Sequence, residues 1–129
     1  MIVGVGIDVV DASRIHALLE RYAERFQQRV FTRGEIRYCR ARANPGLHFA
    51  ARFAAKEAAA KALGTGIGQG IRFRDIEIAL DRGVPRILFH NRAREYADDI
   101  GVSAAHVSIS HEHLTAVAVV VLEKREHPW

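Results

Sequence analysis

Glu57 and Lys61 stand four residues apart in the run F-A-A-R-F-A-A-K-E-A-A-A-K, residues 49–61. On a helix that spacing puts a carboxylate and an ammonium on one face. The ordinary use of such a pair is a surface ion pair worth about 0.3–0.5 kcal/mol. The alternative is a phosphate site, because this small-residue helix runs into the glycine-rich stretch 64–70, G-T-G-I-G-Q-G, where a large anion can approach the backbone. The stretch is not a P-loop: it lacks a Gly-Lys-Ser/Thr ending, and Gln69 stands where G-x-G-x-x-G requires glycine. It also follows the helix C-terminus, where the dipole disfavours anions, so Lys61 and the loop N–H groups would have to compensate. Its plain alternative is a flexible connector.

Asp8, near the end of an apolar strand, is costly to bury unpaired. With Glu57 it offers two carboxylates, enough for Mg²⁺, which takes one or two from protein and completes its shell with water and substrate phosphate. Two distant carboxylates do not by spacing alone define such a site. Ser110-His111-Glu112-His113 brings hydroxyl, imidazole and acid together, but neighbours on a turn seldom face one another as a triad does. His111 is better placed to donate to a phosphate or a bound base. A zinc site is disfavoured, with no cysteine beside these histidines and no H-E-x-x-H. Cys39, among Arg37, Arg40 and Arg42, either has a lowered pKa or, lacking a partner base, is inert.

The elements that would position these groups follow from periodicity. Residues 2–10 alternate β-branched residues with glycines and read as a strand. From Ile15, Leu18, Leu19, Tyr22 and Phe26 recur at helical spacing after a cap at Asp11 or Ser13. Thr32 and Glu35 have capping-box spacing, giving a short helix to about residue 42 that Asn44-Pro45-Gly46 stops. Residues 47–63 have high helix propensity, with Gly64 as terminator. Strands are expected over 71–80 and 86–90 around the turn 81–85, a helix over 91–100 capped by Asn91, and two strands, 106–110 and 115–123, around 111–113. The order predicts one α+β domain over 1–129, an antiparallel sheet packed with helices.

At 129 residues, 49% hydrophobic and 26% charged, the chain has the balance of one globular domain rather than a disordered one. The longest apolar run, 115–122, is strand-sized, far short of the roughly 18 residues of a membrane span. The first residues carry no basic lead of a signal peptide, so a cytoplasmic location is expected. The net charge of +4 is local: residues 14–42 hold eight arginines against three glutamates, +5, leaving −1 elsewhere. Such a patch suits an acidic partner or is a solvated helix face.

Gly4-Val5-Gly6-Ile7-Asp8, Phe31-Thr32-x-x-Glu35, Arg52-Phe53-Ala54-Ala55-Lys56-Glu57-Ala58-x-x-Lys61-Ala62-Leu63-Gly64-Thr65-Gly66 and Val107-Ser108-Ile109-Ser110-His111 together resemble the bacterial holo-acyl-carrier-protein synthases, the short class of 4′-phosphopantetheinyl transferases. The resemblance covers nearly the whole chain in order. It implies transfer of the phosphopantetheine arm of coenzyme A to a serine of apo acyl carrier protein, releasing adenosine 3′,5′-bisphosphate, in fatty acid or polyketide synthesis. It implies Asp8 and Glu57 as Mg²⁺ ligands and, with Lys61, as the catalytic set. Arg52, Lys61, Gly64, Thr65, Gly66, Pro85, Ser110 and His111 would hold coenzyme A. It further implies a homotrimer with active sites between subunits, so that His111 and the Pro85 region serve a neighbour's Glu57. Arg14, Leu18, Arg21, Arg25, Phe26 and Arg29 then become a docking face for the acidic carrier protein. Many relatives follow the histidine with aspartate where this chain has Glu112, which is left out of the catalytic set. The rival readings are a basic nucleic-acid-binding module, for which stacking aromatics and RNA-binding signatures are lacking, and a metal-dependent phosphohydrolase using water as nucleophile. The resemblance implies no nucleic-acid or membrane partner.

Overall fold

A computed structural model describes residues 1–126; 127–129 of the expected 1–129 domain lie outside the described residues. Strand β1, Ile2–Asp11, leads into helices α1, Ala12–Tyr22, α2, Glu24–Val30, α3, Arg33–Arg40, and α4, Pro45–Leu63. A 3₁₀ turn, Phe73–Asp75, precedes the hairpin of β2, Ile76–Asp81, and β3, Val84–Phe89; α5, Asn91–Asp99, β4, Ala104–Glu112, and β5, Thr115–Glu123, follow. The strands form two antiparallel sheets, β1-β5-β4 and β2-β3, in the expected α+β arrangement.

The centre of the fold is α4 laid across β1 and β5. Its alanines 50, 51, 54, 55, 58, 59, 60 and 62 are all buried, as are Ala116, Ala118, Val120 and Leu122 on the facing side of β5. Register puts Gly4, Gly6, Asp8 and Val10 of β1 opposite these four, on the same inner face. Gly4 and Gly6 let the helix backbone come close: a Cβ on either would lie 1.9 Å from a carbonyl oxygen of α4, Ala62 for Gly4 and Ala58 for Gly6. Small residues on both surfaces therefore set the helix-to-strand distance, and the first position beyond the glycines is Asp8.

Several expectations are corrected. The helix expected from Ile15 through Phe26 is two helices, because Ala23 adopts φ 48°, ψ −124° between them. No glycine or proline marks that break. Asn44-Pro45-Gly46 opens α4 rather than only closing α3: the Asn44 side chain accepts from the Leu47 N–H, and Pro45 occupies the first turn, where its missing N–H costs nothing. The strand expected from residue 71 begins at Ile76, since Phe73–Asp75 turn inward, with the Phe73 carbonyl taking a hydrogen bond from Lys56. Asn91 does not cap α5: the N-cap is His90, and the Asn91 amide donates to Asp75 Oδ1 at 3.1 Å. The strand expected over 106–110 is longer, β4 running Ala104–Glu112, while β5 keeps the expected 115–123.

Candidate active site

Because α4 lies against the glycines of β1, Glu57 and Lys61 arrive beside Asp8. Lys61 Nζ donates to Asp8 Oδ1 and to the Ile7 carbonyl, each at 3.0 Å, and its side chain remains half exposed. Burial, and next the nearby Asp8 charge, push the Glu57 carboxyl above its usual range, while Lys61 and Arg14 pull the other way. Two carboxylates thus crowd one another at the edge of a basic surface. Among the described residues no group of three or more His, Cys, Asp or Glu side chains could hold a metal. The carboxylate oxygens of Asp8 and Glu57, the expected donor set, would suit Mg²⁺ completed by water and phosphate and would not suit an all-protein zinc cage.

Two of the remaining residues of the expected site, Arg52 and His111, come together on another side of α4. Arg52 is buried, with its guanidinium 4.0 Å from the Tyr38 ring centre, and Arg42 stacks on the same ring at 4.4 Å. The His48 ring packs edge-on against both Tyr38 and His111, centroids 5.8 and 5.4 Å apart. Burial holds the His48 imidazole below its usual pKa, and the charges of His111, Arg52 and Arg42 add to that. Among the described residues, the buried side-chain polar atoms without a hydrogen-bond partner are Arg52 Nε and Thr65 Oγ1. Both belong to the ligand set expected from the sequence, and an orphaned buried donor is what a ligand-shaped gap leaves behind.

Other expected members are placed differently. The first three loop N–H groups are not free for an anion: Gly64 donates to the Lys61 carbonyl, and Thr65 and Gly66 to that of Ala60, closing α4 through a left-handed Gly64. Ser110 and His111 alternate along β4, so His111 shares the inner face of Ala116 while Ser110 faces outward with Val117. Pro85 lies in the other sheet, opposite Leu80. Of the docking residues, Arg14, Arg21, Arg25 and Arg29 are exposed, whereas Leu18 and Phe26 are half-buried and pack on the core, Phe26 edge-on to Phe31. The break at Ala23 divides these residues between α1 and α2. Cys39 is fully buried, and its thiol is pushed up to about 12 by that burial despite nearby cations, so it is inert rather than activated.

Sequence reasoning missed two groups. His48 precedes Arg52 by four residues, a spacing that could have been read as a shared helix face. Lys56 and Glu35 form an ion pair at 2.7 Å with both side chains wholly buried. Lys56 also donates to the Phe73 and Ile76 carbonyls, and Glu35 accepts from the N–H groups of Thr32 and Ile78. Both charges are therefore saturated, and the pair ties α3 and β2 to the side of α4 away from Asp8.

Residues 4–118 match the profile of the 4′-phosphopantetheinyl transferase superfamily. A holo-[acyl-carrier-protein] synthase from Koribacter versatilis is 47% identical over 124 residues, covering 95% of this chain and 99% of that one. Its counterpart in Maridesulfovibrio salexigens is 50% identical over 125 residues, 96% and 100% of the two chains. The fold superposes on the crystal structure of the Neisseria meningitidis holo-[acyl-carrier-protein] synthase with TM-score 0.89 and 38% identity, covering 96% and 100%. The Helicobacter pylori enzyme in complex with coenzyme A gives TM-score 0.82 and 34% identity, covering 92% and 99%. Likeness at this level, in sequence and in fold and over nearly the full length of both partners, places the chain in the 4′-phosphopantetheinyl transferase superfamily.

Proposed function

We propose that this protein transfers the 4′-phosphopantetheine group of coenzyme A to a serine hydroxyl of apo acyl carrier protein. The serine oxygen bonds to the β-phosphorus, the pyrophosphate P–O bond breaks, and adenosine 3′,5′-bisphosphate leaves. The observation that carries this reading is the convergence of Asp8, Glu57 and Lys61 where α4 meets β1, in a chain alike over its length to holo-[acyl-carrier-protein] synthases. Asp8 and Glu57 would hold Mg²⁺, which would supply neutralisation of the charge growing on the phosphate oxygens. Lys61 offsets charge on the departing bisphosphate, and the Asp8–Glu57 pair provides the carboxylate that takes the serine proton, directly or through water. Positioning and charge neutralisation suffice, since phosphoryl transfer of this kind needs no covalent enzyme intermediate.

Arg52, Thr65 and His111 hold the remainder of coenzyme A, with the unpartnered Arg52 Nε and Thr65 Oγ1, at two separate places along α4, each supporting that role. In one chain Arg52 and His111 lie on a different side of α4 from Glu57, which favours a site shared between copies. A second feature points the same way: the outer face of the β1-β5-β4 sheet carries Val5, Ile7 and Val9, 58–63% exposed, in register with Val121, Val119 and Val117. Such an apolar sheet face suits association with further copies in a homotrimer, bringing His111 and Pro85 to a neighbour's Glu57. The exposed Arg14, Arg21, Arg25 and Arg29 receive the acidic carrier protein. No helix among the described residues is long and apolar enough to cross a membrane. The test is the mass of apo carrier protein after incubation with the enzyme, coenzyme A and Mg²⁺.

A further inference from the structure

Four basic side chains meet on the Tyr38 side of α4. Arg42, just beyond α3, and Arg52, on α4, both lie over the Tyr38 ring, at 4.4 and 4.0 Å. His48, one turn before Arg52, packs on Tyr38 and on His111, which reaches in from β4. The charges that lower the His48 pKa come from His111 of β4, Arg52 of its own helix and Arg42 beyond α3. On α3, burial holds the Cys39 thiol neutral, and the Glu35 carboxylate is already paired with Lys56. Two permanent guanidinium charges and two imidazoles without a facing carboxylate form a cluster completed by an anion. The buried Arg52 Nε, with no partner, shows that the cluster is unsaturated.

We propose that His48 is a further ligand-binding residue, and that it takes a proton from solution as a phosphate group of coenzyme A enters the Arg42–Arg52 cluster. Before binding, burial first and the neighbouring charges next hold the His48 imidazole below its usual pKa, and afterwards the phosphate dianion reverses the local field. The His48 imidazole becomes an imidazolium and donates a charge-assisted hydrogen bond to a phosphate oxygen. The proton comes from the buffer, and no covalent bond changes. This rests on the coenzyme A reading above, and it adds a residue and a proton that the reading does not require.

Calorimetry tests it. Coenzyme A is titrated into the intact protein at about pH 7.5 with saturating Mg²⁺, in two buffers of different ionisation enthalpy. At that pH a phosphomonoester, with its second pKa near 6, is already ionised and contributes little. Wild type should take up on the order of half a proton per site. His48→Gln should lose most of that uptake and bind coenzyme A roughly tenfold more weakly. Equal uptake in both proteins, or none in wild type despite binding, overturns the proposal and leaves the transferase reading standing. Failure of wild type to bind coenzyme A at all overturns both. Should His48→Gln fold poorly, histidine-ring NMR of wild type answers instead. The His48 titration midpoint should rise on adding coenzyme A, and an unmoved midpoint refutes the proposal.

Discussion

Lys61 Nζ lies 3.0 Å from Asp8 Oδ1, joining α4 to β1 across 53 residues of sequence. The contact exists because Gly4 and Gly6 bring the two backbones together just before Asp8, so the geometry of the candidate site depends on two side chains that are absent. A helix held even an ångström further out would separate Lys61 and Glu57 from the strand carboxylate, and misplacement on that scale can cost about 10²-fold in rate.

Gly6→Ala should therefore damage the site without touching it chemically. The new Cβ would stand 1.9 Å from the Ala58 carbonyl oxygen and 2.8 Å from the Ala62 nitrogen, both backbone atoms that cannot swing aside. A loss of about 1–3 kcal/mol or more in urea unfolding is expected, with turnover falling further than stability accounts for. Wild-type stability in this variant would mean that the glycines do not set the spacing.

Glu57→Gln and Asp8→Asn should each abolish Mg²⁺-dependent turnover, and Lys61→Ala should lower it by roughly 10²-fold or more. Binding gives a second readout: Mg²⁺ with coenzyme A should raise the melting temperature of wild type more than that of either carboxamide variant. Near-normal turnover of Asp8→Asn or Glu57→Gln at limiting Mg²⁺ contradicts the metal assignment.

Glu77 should make the fold acid-sensitive. Burial pushes its pKa up, but hydrogen bonds from His90 and Thr32 outweigh that, and the carboxyl ends below its usual 4.5. With the folded value depressed, the unfolded chain binds the proton more readily between the two values, so this stabilisation is complete above about pH 4.5 and is lost as pH falls through the folded value. Wild type should melt above Glu77→Gln at neutral pH, and the gap should close on acidification. A gap independent of pH would contradict the assignment.

Charge reversal on α1 addresses docking. Arg21→Glu should raise the KM for carrier protein while leaving that for coenzyme A nearly intact, because Arg21 is exposed near the end of α1, whereas Arg14 stands close enough to Glu57 to act on its carboxyl. Equal losses for both substrates would show that this surface is not a docking face.

Much of this was legible in the sequence where a local rule acts alone. Thr32 and Glu35 form the capping box their spacing announces, and Gly64 ends α4 in the left-handed conformation that glycine permits. What escaped is what only packing decides. Ala23 breaks a helix although alanine favours one, and nothing local in the sequence marks its positive φ. Glu35 is read correctly as a cap, yet its second oxygen and its pairing with Lys56 depend on a strand more than forty residues away. Lys56 and Glu57 are adjacent and of opposite charge, and nothing local says that the lysine enters the core while the carboxylate faces Asp8. The resemblance named Arg52 and His111, but His48 lies outside the motifs that carried it.

The most direct test is mass spectrometry of apo acyl carrier protein incubated with this protein, coenzyme A and Mg²⁺. The predicted result is a phosphopantetheine mass gain on the carrier serine with stoichiometric adenosine 3′,5′-bisphosphate, lost on substituting that serine. Bisphosphate released without a gain in carrier mass would instead mark hydrolysis and contradict the account.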